Sequence, residues 1–173
     1  MIPIAKVVVS PTEPQGKNRK KIWIQKGKNL FDKDNANIVS GVNINRNTNT
    51  ITSDTNSKIL YIKCLPNTSY VVSKQILSNN SRFAIAFSSE IPVIDTNLNG
   101  LVYDYTGKKL ASTSDSDSKY LCVWYYNSGD TLTEQEILDI IQIEQGSTAT
   151  DYEDYIEPAI YIKNKNNVYE KFM

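Results

Sequence analysis

Four carboxylates lie close together near the end of the 173-residue chain, within the stretch "IEQGSTATDYEDY". They are Glu144, Asp151, Glu153 and Asp154. Two carboxylates at a suitable separation can hydrolyse a glycosidic bond, so a glycosidase pair is one interpretation. The alternative, which we favour, is that these acids are solvated groups beside the turn that "GSTAT" encodes. We therefore expect no enzymatic activity and no catalytic residue.

The composition argues against most other catalytic and metal-binding sites. The chain has no histidine, which excludes Ser-His and Cys-His nucleophiles and His-ligated zinc. Cys64 and Cys122 lie in apolar, strand-like runs without metal-ligand spacing, so we expect free buried thiols. Asp115 and Asp117 could offer oxygens to calcium, but "DSDSK" lacks the glycine and glutamate of a defined calcium loop. We predict an ordinary polar turn there, with no metal and no cofactor.

Two aromatic segments have the residue types that sugar recognition requires. A pyranose needs a flat aromatic face for its C–H side and amides or carboxylates for its hydroxyls. Both "GLVYDYTGKK" and "KYLCVWYYNSGD" offer this mixture. The alternative is that the aromatic stripe fills the core or a subunit interface. The candidate glycan-binding residues are Trp124, Tyr126, Tyr103, Tyr105, Asn127 and Asp130.

The elements that must position these residues have mostly the two-residue period of β-strands. Segments rich in Asn, Ser, Thr and Asp, such as "NRNTNTITSDTNS" and "STSDSDS", separate the apolar runs and favour turns. In "TLTEQEILDII", Thr133 and Glu136 have capping-box spacing and predict one short helix. The fold class is therefore an all-β antiparallel sandwich. Its candidate strands are Lys6–Ser10, Lys21–Gln25, Lys58–Cys64, Ser69–Lys74, Arg82–Phe87, Gly100–Tyr103, Tyr120–Tyr126, Ile140–Glu144, Ile160–Lys163 and Val168–Lys171.

The closing stretch from Ile141 reads as a half-exposed strand followed by a turn. Ile141 and Ile143 alternate with Gln142 and Glu144, which predicts one buried face and one solvent-exposed face. Gly146 can supply a positive φ angle for the turn. We therefore expect this stretch to close the domain rather than to form a site.

The two ends of the chain differ from its middle. We predict an N-terminal arm over residues 1–27, a sandwich over 28–157 and a C-terminal β-hairpin over 158–173, with a turn at 164–167. The basic cluster in "SPTEPQGKNRKK" indicates a solvated linker, and a patch for an acidic partner or for nucleic acid is the alternative. Because an isolated hairpin is marginal in water, both ends should pack on their own domain or on another chain.

Net charge and hydropathy limit the partners. The formal net charge is zero, so no overall field attracts nucleic acid or an anionic membrane surface. No apolar run reaches the roughly 20 residues that a membrane-spanning helix needs. The N-terminal residues lack the pattern of a secretory signal. We expect a soluble protein that binds neither nucleic acid nor membrane.

Four segments together resemble a known family: "KKIWIQKGKNLFD", "YIKCLPNTSYVV", "KYLCVWYY" and "IIQIEQGSTATDYEDY". They resemble the carbohydrate-binding-like jelly-roll modules of tail, baseplate and receptor-binding proteins of Gram-positive phages and phage-tail-like particles, over roughly residues 11–156. The resemblance implies a galactose-binding-like sandwich in which "NLF" lies near "DYEDY". It also implies a homotrimer. Because the family often has a polar residue at the position of Cys122, it further implies that Trp124 and Tyr126 are presented outward.

From the resemblance we expect a virion structural protein of the tail or baseplate, assembled in the bacterial cytoplasm without a signal peptide. Its carbohydrate-binding module would recognise a host-surface glycan. One alternative is a purely structural adaptor that holds neighbouring tail proteins through its arm and hairpin. Another is an accessory carbohydrate-binding module of a cell-wall enzyme.

Overall fold

The computed structural model describes residues 22–25, 27–74, 81–104, 109–127, 133–163 and 169–172. The prediction of an all-β antiparallel sandwich with one short helix is confirmed. A short 3-10 turn at Lys33–Asn35 precedes the second strand. The remaining elements are β1 (Ile22–Gln25), β2 (Asn37–Asn45), β3 (Thr50–Lys63), β4 (Ser69–Lys74), β5 (Ser81–Ser88), β6 (Asn99–Asp104), β7 (Lys109–Thr113), β8 (Tyr120–Asn127), α1 (Glu134–Asp139), β9 (Ile141–Gln145), β10 (Ala159–Lys163) and β11 (Tyr169–Phe172).

Two sheets form the sandwich. One has five strands in the order β2-β3-β8-β5-β6, and the other has three in the order β7-β4-β9. The chain crosses between them after β3, β4, β6, β7 and β8, which is the alternation of a jelly roll. The inner core lies between the facing sides of the two sheets. Its largest fully buried side chains are Phe31, Phe87, Leu60, Ile85, Leu121, Ile143 and Val72.

A second, outer core covers the opposite face of the five-stranded sheet. The β2–β3 pairing is interrupted between Ser40 and Val42, where Gly41 has a φ of 75°. Only glycine adopts such an angle without cost, and the chain turns a corner there. Beyond the corner, residues 42–53 form a hairpin, the outer hairpin. Its apolar residues join the opposite face of the sheet in one cluster: Val42, Ile44, Ile51, Ile59, Ala84, Ala86, Leu98, Cys122 and Trp124.

The tip of the outer hairpin is tied to the loop that follows β5. The Ile51 amide donates to the Thr96 carbonyl at 3.0 Å, and the Asp95 amide donates to the Ile51 carbonyl at 2.8 Å. The Leu98 amide donates to the Asn49 carbonyl at 2.8 Å. Since β8 and β5 lie beyond β3 in the sheet, these bonds hold the hairpin across the outer face.

Most predicted strands and the helix are confirmed. Lys6–Ser10 and the linker segment 10–21 lie outside the described residues, as does the predicted turn at 164–167. The predicted capping box is present, because Thr133 Oγ1 accepts from the Glu136 amide at 3.3 Å and Glu136 Oε2 accepts from the Thr133 amide at 2.7 Å. The sequence interpretation was wrong for residues 50–57, expected as a turn-rich segment but forming the first half of β3. It also missed β2 and β7.

The two ends of the chain meet in a third sheet with the order β1-β10-β11. Gln25 pairs with Ala159, and Ile22 pairs with Ile162. The C-terminal strand pair expected from the sequence is present, since β10 and β11 are antiparallel neighbours. We call this unit the small sheet. It joins a strand of the predicted arm to the predicted hairpin.

Candidate functional site

Trp124 occupies the centre of the outer face rather than its surface. Its neighbours across the sheet are Ile59 on β3 and Ala84 on β5, and Ala84 in turn pairs with Tyr103 on β6. The small side chain of Ala84 leaves room for the indole, whose ring centre lies 5.2 Å from that of Tyr103. Trp124 also stacks on Tyr126, with ring centres 6.1 Å apart and planes 9° apart.

The expectation that Trp124 is presented outward is wrong. Its side chain is only 2 % exposed, because the outer hairpin folds over this face. The indole Nε1 has no hydrogen-bond partner within the described part of the chain, and the same holds for the buried Ser57 hydroxyl on the neighbouring strand. Nothing in the alternating pattern of β8 distinguishes an exposed outer face from one that another segment covers.

The half-buried rings of Tyr103 and Tyr126 flank the indole. The Arg46 guanidinium from the tip of the outer hairpin lies 4.5 Å from the centre of the Tyr103 ring. The Arg82 guanidinium lies 6.0 Å from the centre of the Tyr126 ring. Guanidinium groups over aromatic faces attract the ring quadrupole and hold the rings in place. We call these four side chains the tyrosine patch.

The other predicted site residues are not brought into this patch by any described contact. Asn127 ends β8, where its backbone pairs with Ser81. Tyr105 and Asp130 lie outside the described residues. Of the six candidate glycan-binding residues, the structure therefore brings three together, namely Tyr103, Trp124 and Tyr126.

The closing stretch, residues 141–155, packs against the start of the sandwich at Asn29, and we call it the seam. Its predicted exposure pattern is only half right. Ile141 and Ile143 are buried as expected. Gln142 and Glu144 were expected to be solvent-exposed, yet they are only 0 % and 4 % exposed. The reason is that the chain returns over them after the Gly146 turn, which has the predicted positive φ of 133°. Gln142 Oε1 accepts from the Glu153 amide at 2.7 Å.

Asn29 joins the start of the sandwich to this seam. Its Oδ1 accepts from the Ile143 amide at 3.1 Å and from the Phe31 amide at 3.0 Å, and its Nδ2 donates to the Glu153 carbonyl at 3.2 Å. The Leu30 amide donates to the Ile143 carbonyl at 2.7 Å. The expected proximity of "NLF" and "DYEDY" is thus confirmed. The importance of a single buried asparagine was not evident from its type alone.

Among the four carboxylates considered as a glycosidase pair, Glu144 and Glu153 accept hydrogen bonds that join separate parts of the seam. Glu144 accepts from the Thr150 amide at 2.9 Å and from Thr150 Oγ1 at 2.6 Å. Burial acts to raise the pKa of Glu144, but these hydrogen bonds, with help from Gln142 and the charge of Lys28, lower it below its usual value. The Glu153 carboxylate accepts from the Lys28 amide. Both groups therefore hold the seam together.

An open groove at one end of the sandwich was not predicted from the sequence. Its volume is about 520 Å³, and we call it the loop-end groove. It is lined by Lys63, Cys64 and Pro66 at the end of β3, by Ser89 after β5 and by residues 116–120, which lead into β8. One indication of it was present in the sequence, since "SKY" places a cation and an aromatic ring directly after a polar turn.

Both cysteines are free thiols, as predicted. Cys122 is fully buried in the outer core, and burial raises its pKa far above the ordinary range. Cys64 is half-buried, and burial raises its pKa to about 11. Both shifts are opposite to the lowered pKa that makes a cysteine reactive.

Comparison with known proteins adds no relative. No protein-family model, curated protein or solved structure matches the chain. Across the part of the chain that the structure describes, none of the helices has the length and apolar character needed to cross a membrane. The same residues contain no cluster of three or more acidic or thiol side chains that could hold a metal ion.

Proposed function

We propose that this chain is a non-catalytic component of the tail or baseplate of a phage or phage-tail-like particle. Its sandwich binds a host-surface glycan through the tyrosine patch. Four sequence segments that resemble the tail and receptor-binding modules support the assignment to a tail, as does the sandwich fold. The observation that carries glycan binding is the pair of half-buried tyrosine rings, each with a guanidinium over it.

The chemistry of this patch suits a saccharide. The exposed edges and hydroxyls of these tyrosine rings can contact a sugar, and the guanidinium groups that lie over the ring faces can donate several hydrogen bonds to its hydroxyls. The buried indole of Trp124 supports the two rings from below rather than contacting the sugar. Single sites of this kind are weak, and a particle compensates by presenting several copies.

Binding to Gram-positive cells and to a glycan array tests the proposal. Trp124→Ala is a poor test, because removing a buried indole costs about 3–5 kcal/mol and endangers the fold. Tyr126→Ala and Tyr103→Ala should instead weaken binding about tenfold or more each, because each removes one aromatic contact and the ring that positions a guanidinium. Tyr155→Ala, which also removes a half-buried tyrosine, is the matched control. Unchanged binding in both patch variants would refute the proposal.

A purely structural adaptor is the second candidate, and one observation favours it. The small sheet joins both ends of the chain, and Ile160 within it is 44 % exposed. An exposed aliphatic residue in a three-stranded sheet is suited to contact with another chain. If the small sheet joins copies of this chain, Ile160→Ser should reduce the mass of the purified protein measured by light scattering. If each sandwich also binds glycan on its own, the variant should keep the wild-type affinity for a soluble oligosaccharide.

A further inference from the structure

We propose that the loop-end groove is a second saccharide subsite, selective for a sugar unit that carries a carboxylate or a phosphate. The identification of the ligand as a saccharide rests on the proposed function, whereas the preference for a negative charge rests on the groove itself. The groove is separate from the tyrosine patch. Tyr120 begins β8 and lines the groove, whereas Tyr126 lies six residues further along the strand, roughly 20 Å away.

The groove has the size and walls of a ligand site. Its volume of about 520 Å³ falls within the range of roughly 300–1,000 Å³ that small-molecule sites occupy. Three loops that are far apart in sequence form its walls. They are joined directly, because the Cys64 amide donates to the Lys119 carbonyl at 2.9 Å and the Lys119 amide donates to the Ser88 carbonyl at 2.8 Å.

Buried serine hydroxyls brace these loops. Ser114 is 2 % exposed, and its Oγ donates to the Leu65 carbonyl at 2.7 Å and accepts from the Thr68 amide at 2.9 Å. Ser118 is also 2 % exposed, and its Oγ accepts from the Asp115 amide at 3.0 Å. Satisfied buried hydroxyls of this kind fix loop geometry at the cost of apolar burial. The groove is therefore held in shape before any ligand arrives, which reduces the entropy lost on binding.

The charges that line the groove favour an anion. Lys63 and Lys119 are exposed, and within the described residues neither ammonium group has a carboxylate partner. Asp117 is the one carboxylate among the lining residues. The lining residues thus carry two cations against one anion, in a protein whose formal net charge is zero. Flexible ammonium groups bind a carboxylate or a phosphate as point charges, without a fixed fork geometry.

The remaining lining groups suit a sugar ring. The Tyr120 ring is held edge-on against Tyr61, with ring centres 5.7 Å apart and planes 82° apart. This contact fixes an aromatic surface at the mouth of the groove. Asp117 and the hydroxyl of Ser116 or Ser89 are placed to bond sugar hydroxyls. A simple inorganic anion would use only the two lysines.

Three soluble probes of similar length test the inference: a uronic-acid oligosaccharide, a poly(glycerol phosphate) oligomer with sugar substituents, and a neutral oligosaccharide. The full-length protein is titrated by calorimetry at low and at physiological salt. We expect the charged probes to bind at least tenfold more tightly than the neutral one, with a difference that shrinks as salt rises. The comparison of the two charged probes distinguishes carboxylate from phosphate. Equal affinity for the neutral probe overturns the inference.

The location is tested with the double variant Lys63→Gln/Lys119→Gln, and with Lys109→Gln as the control at an exposed lysine on β7. The double variant should lose the charge preference, while the control keeps it. Amide resonances of Lys119 and Tyr120 should shift when the charged probe is added. An equal loss in the control, or shifts only around the tyrosine patch, overturns the inference.

Failure of this inference can be told apart from failure of the proposed function. If Tyr126→Ala removes binding of every probe and the lysine variant changes nothing, the proposed function stands and the second subsite is wrong. If the lysine variant alone removes binding, the groove is the saccharide site and the assignment to the tyrosine patch is wrong. If no probe binds to the folded wild-type protein, both are wrong.

Discussion

The two faces of the five-stranded sheet are built by the same strands but are covered differently. On the inner face, Leu60, Leu121 and Val123 meet a second regular sheet. On the outer face, Ile59 and Trp124 meet a hairpin that turns at Gly41 and is tied to a loop. The three-stranded sheet repeats this contrast at β9, whose outward residues lie beneath the returning closing stretch. Regular sheets cover the inside of the sandwich, and irregular segments cover parts of its outside.

The two layers should differ in how easily they open locally. A sheet that packs on a sheet buries both partners along their full length and cannot yield locally. A hairpin held mainly at its corner and its tip can open without unfolding the sandwich. The tyrosine patch includes Arg46 from the tip of that hairpin, so the proposed glycan site belongs to the less stable layer.

The largest expected effect is on the free energy of unfolding, and it is tested at two neighbouring residues of β3. Leu60 faces the inner core and Ile59 the outer core, and both are 0 % exposed. Substitution by alanine should cost about 2–5 kcal/mol in each case, with Leu60→Ala in the upper half of that range and Ile59→Ala in the lower half. The reason is that the outer hairpin can move into a cavity more easily than a whole sheet. Urea unfolding measures both values, and a larger loss for Ile59→Ala would contradict the contrast.

The next effect tests the corner of the outer hairpin. An added Cβ at Gly41 would meet only the Asp54 carbonyl, at 3.5 Å, so Gly41→Ala should cost about 1–2 kcal/mol through its φ of 75° rather than through a clash. Gly41→Asn should cost less, since asparagine tolerates this angle. Hydrogen exchange should accelerate at the Ile51 amide and stay slow at Leu121. Equal acceleration at both amides would show that the two layers unfold together.

A smaller effect concerns the covered residues of β9. In Glu144→Gln, one of the two Thr150 donors loses its acceptor, at a cost of about 1 kcal/mol at pH 7. Because the pKa of Glu144 is lowered in the folded state, its contribution is present above the unfolded pKa of 4.5 and is lost as the pH falls through the folded value. The difference between variant and wild type should therefore vanish in acid. Glu90→Gln, at an exposed residue, is the control for unfolding curves at pH 7, 5 and 3.

The smallest effect is read from the rate of thiol labelling rather than from unfolding. With a pKa of about 11, the Cys64 thiol is ionised in roughly one molecule per thousand at pH 8, and its labelling rate should rise about tenfold per pH unit. Cys122, under the outer hairpin, should react only when that hairpin opens. Gly41→Ala should then speed the labelling of Cys122 and not of Cys64. Mass spectrometry of the labelled peptides distinguishes the two sites.

The inner layer could be predicted from the sequence, because its strands combine two-residue alternation with β-branched and aromatic residues. Tyr120–Tyr126 and Ser69–Lys74 are examples. The helix followed from the spacing of Thr133 and Glu136. In each case the signal is local, and no distant contact was needed to recognise it.

The segments that cover the outer sides of the two sheets could not be predicted, because they depend on contacts between residues far apart in the chain. "NRNTNTITSDTNS" has the composition of a loop, yet its second half pairs with β2 and buries Ile51. Gln142 and Glu144 alternate like exposed residues and are covered by a stretch whose path the pattern does not encode. Trp124 was placed outward because of the family resemblance. Its position in the strand was correct, but the hairpin above it was not foreseen.

The seam also determines how the protein would carry mechanical load. Gly27 and Ile156, where the chain enters and leaves the sandwich, are neighbours: a Cβ built on Gly27 would lie 3.2 Å from the Ile156 Cβ. Immediately outside that point, β1 and β10 pair with each other. Tension between the two ends of the chain would therefore act first on the β1–β10 and β10–β11 pairings of the small sheet. The chain enters and leaves the sandwich at this one point, so the sandwich would remain folded while the strand pairs of the small sheet separate.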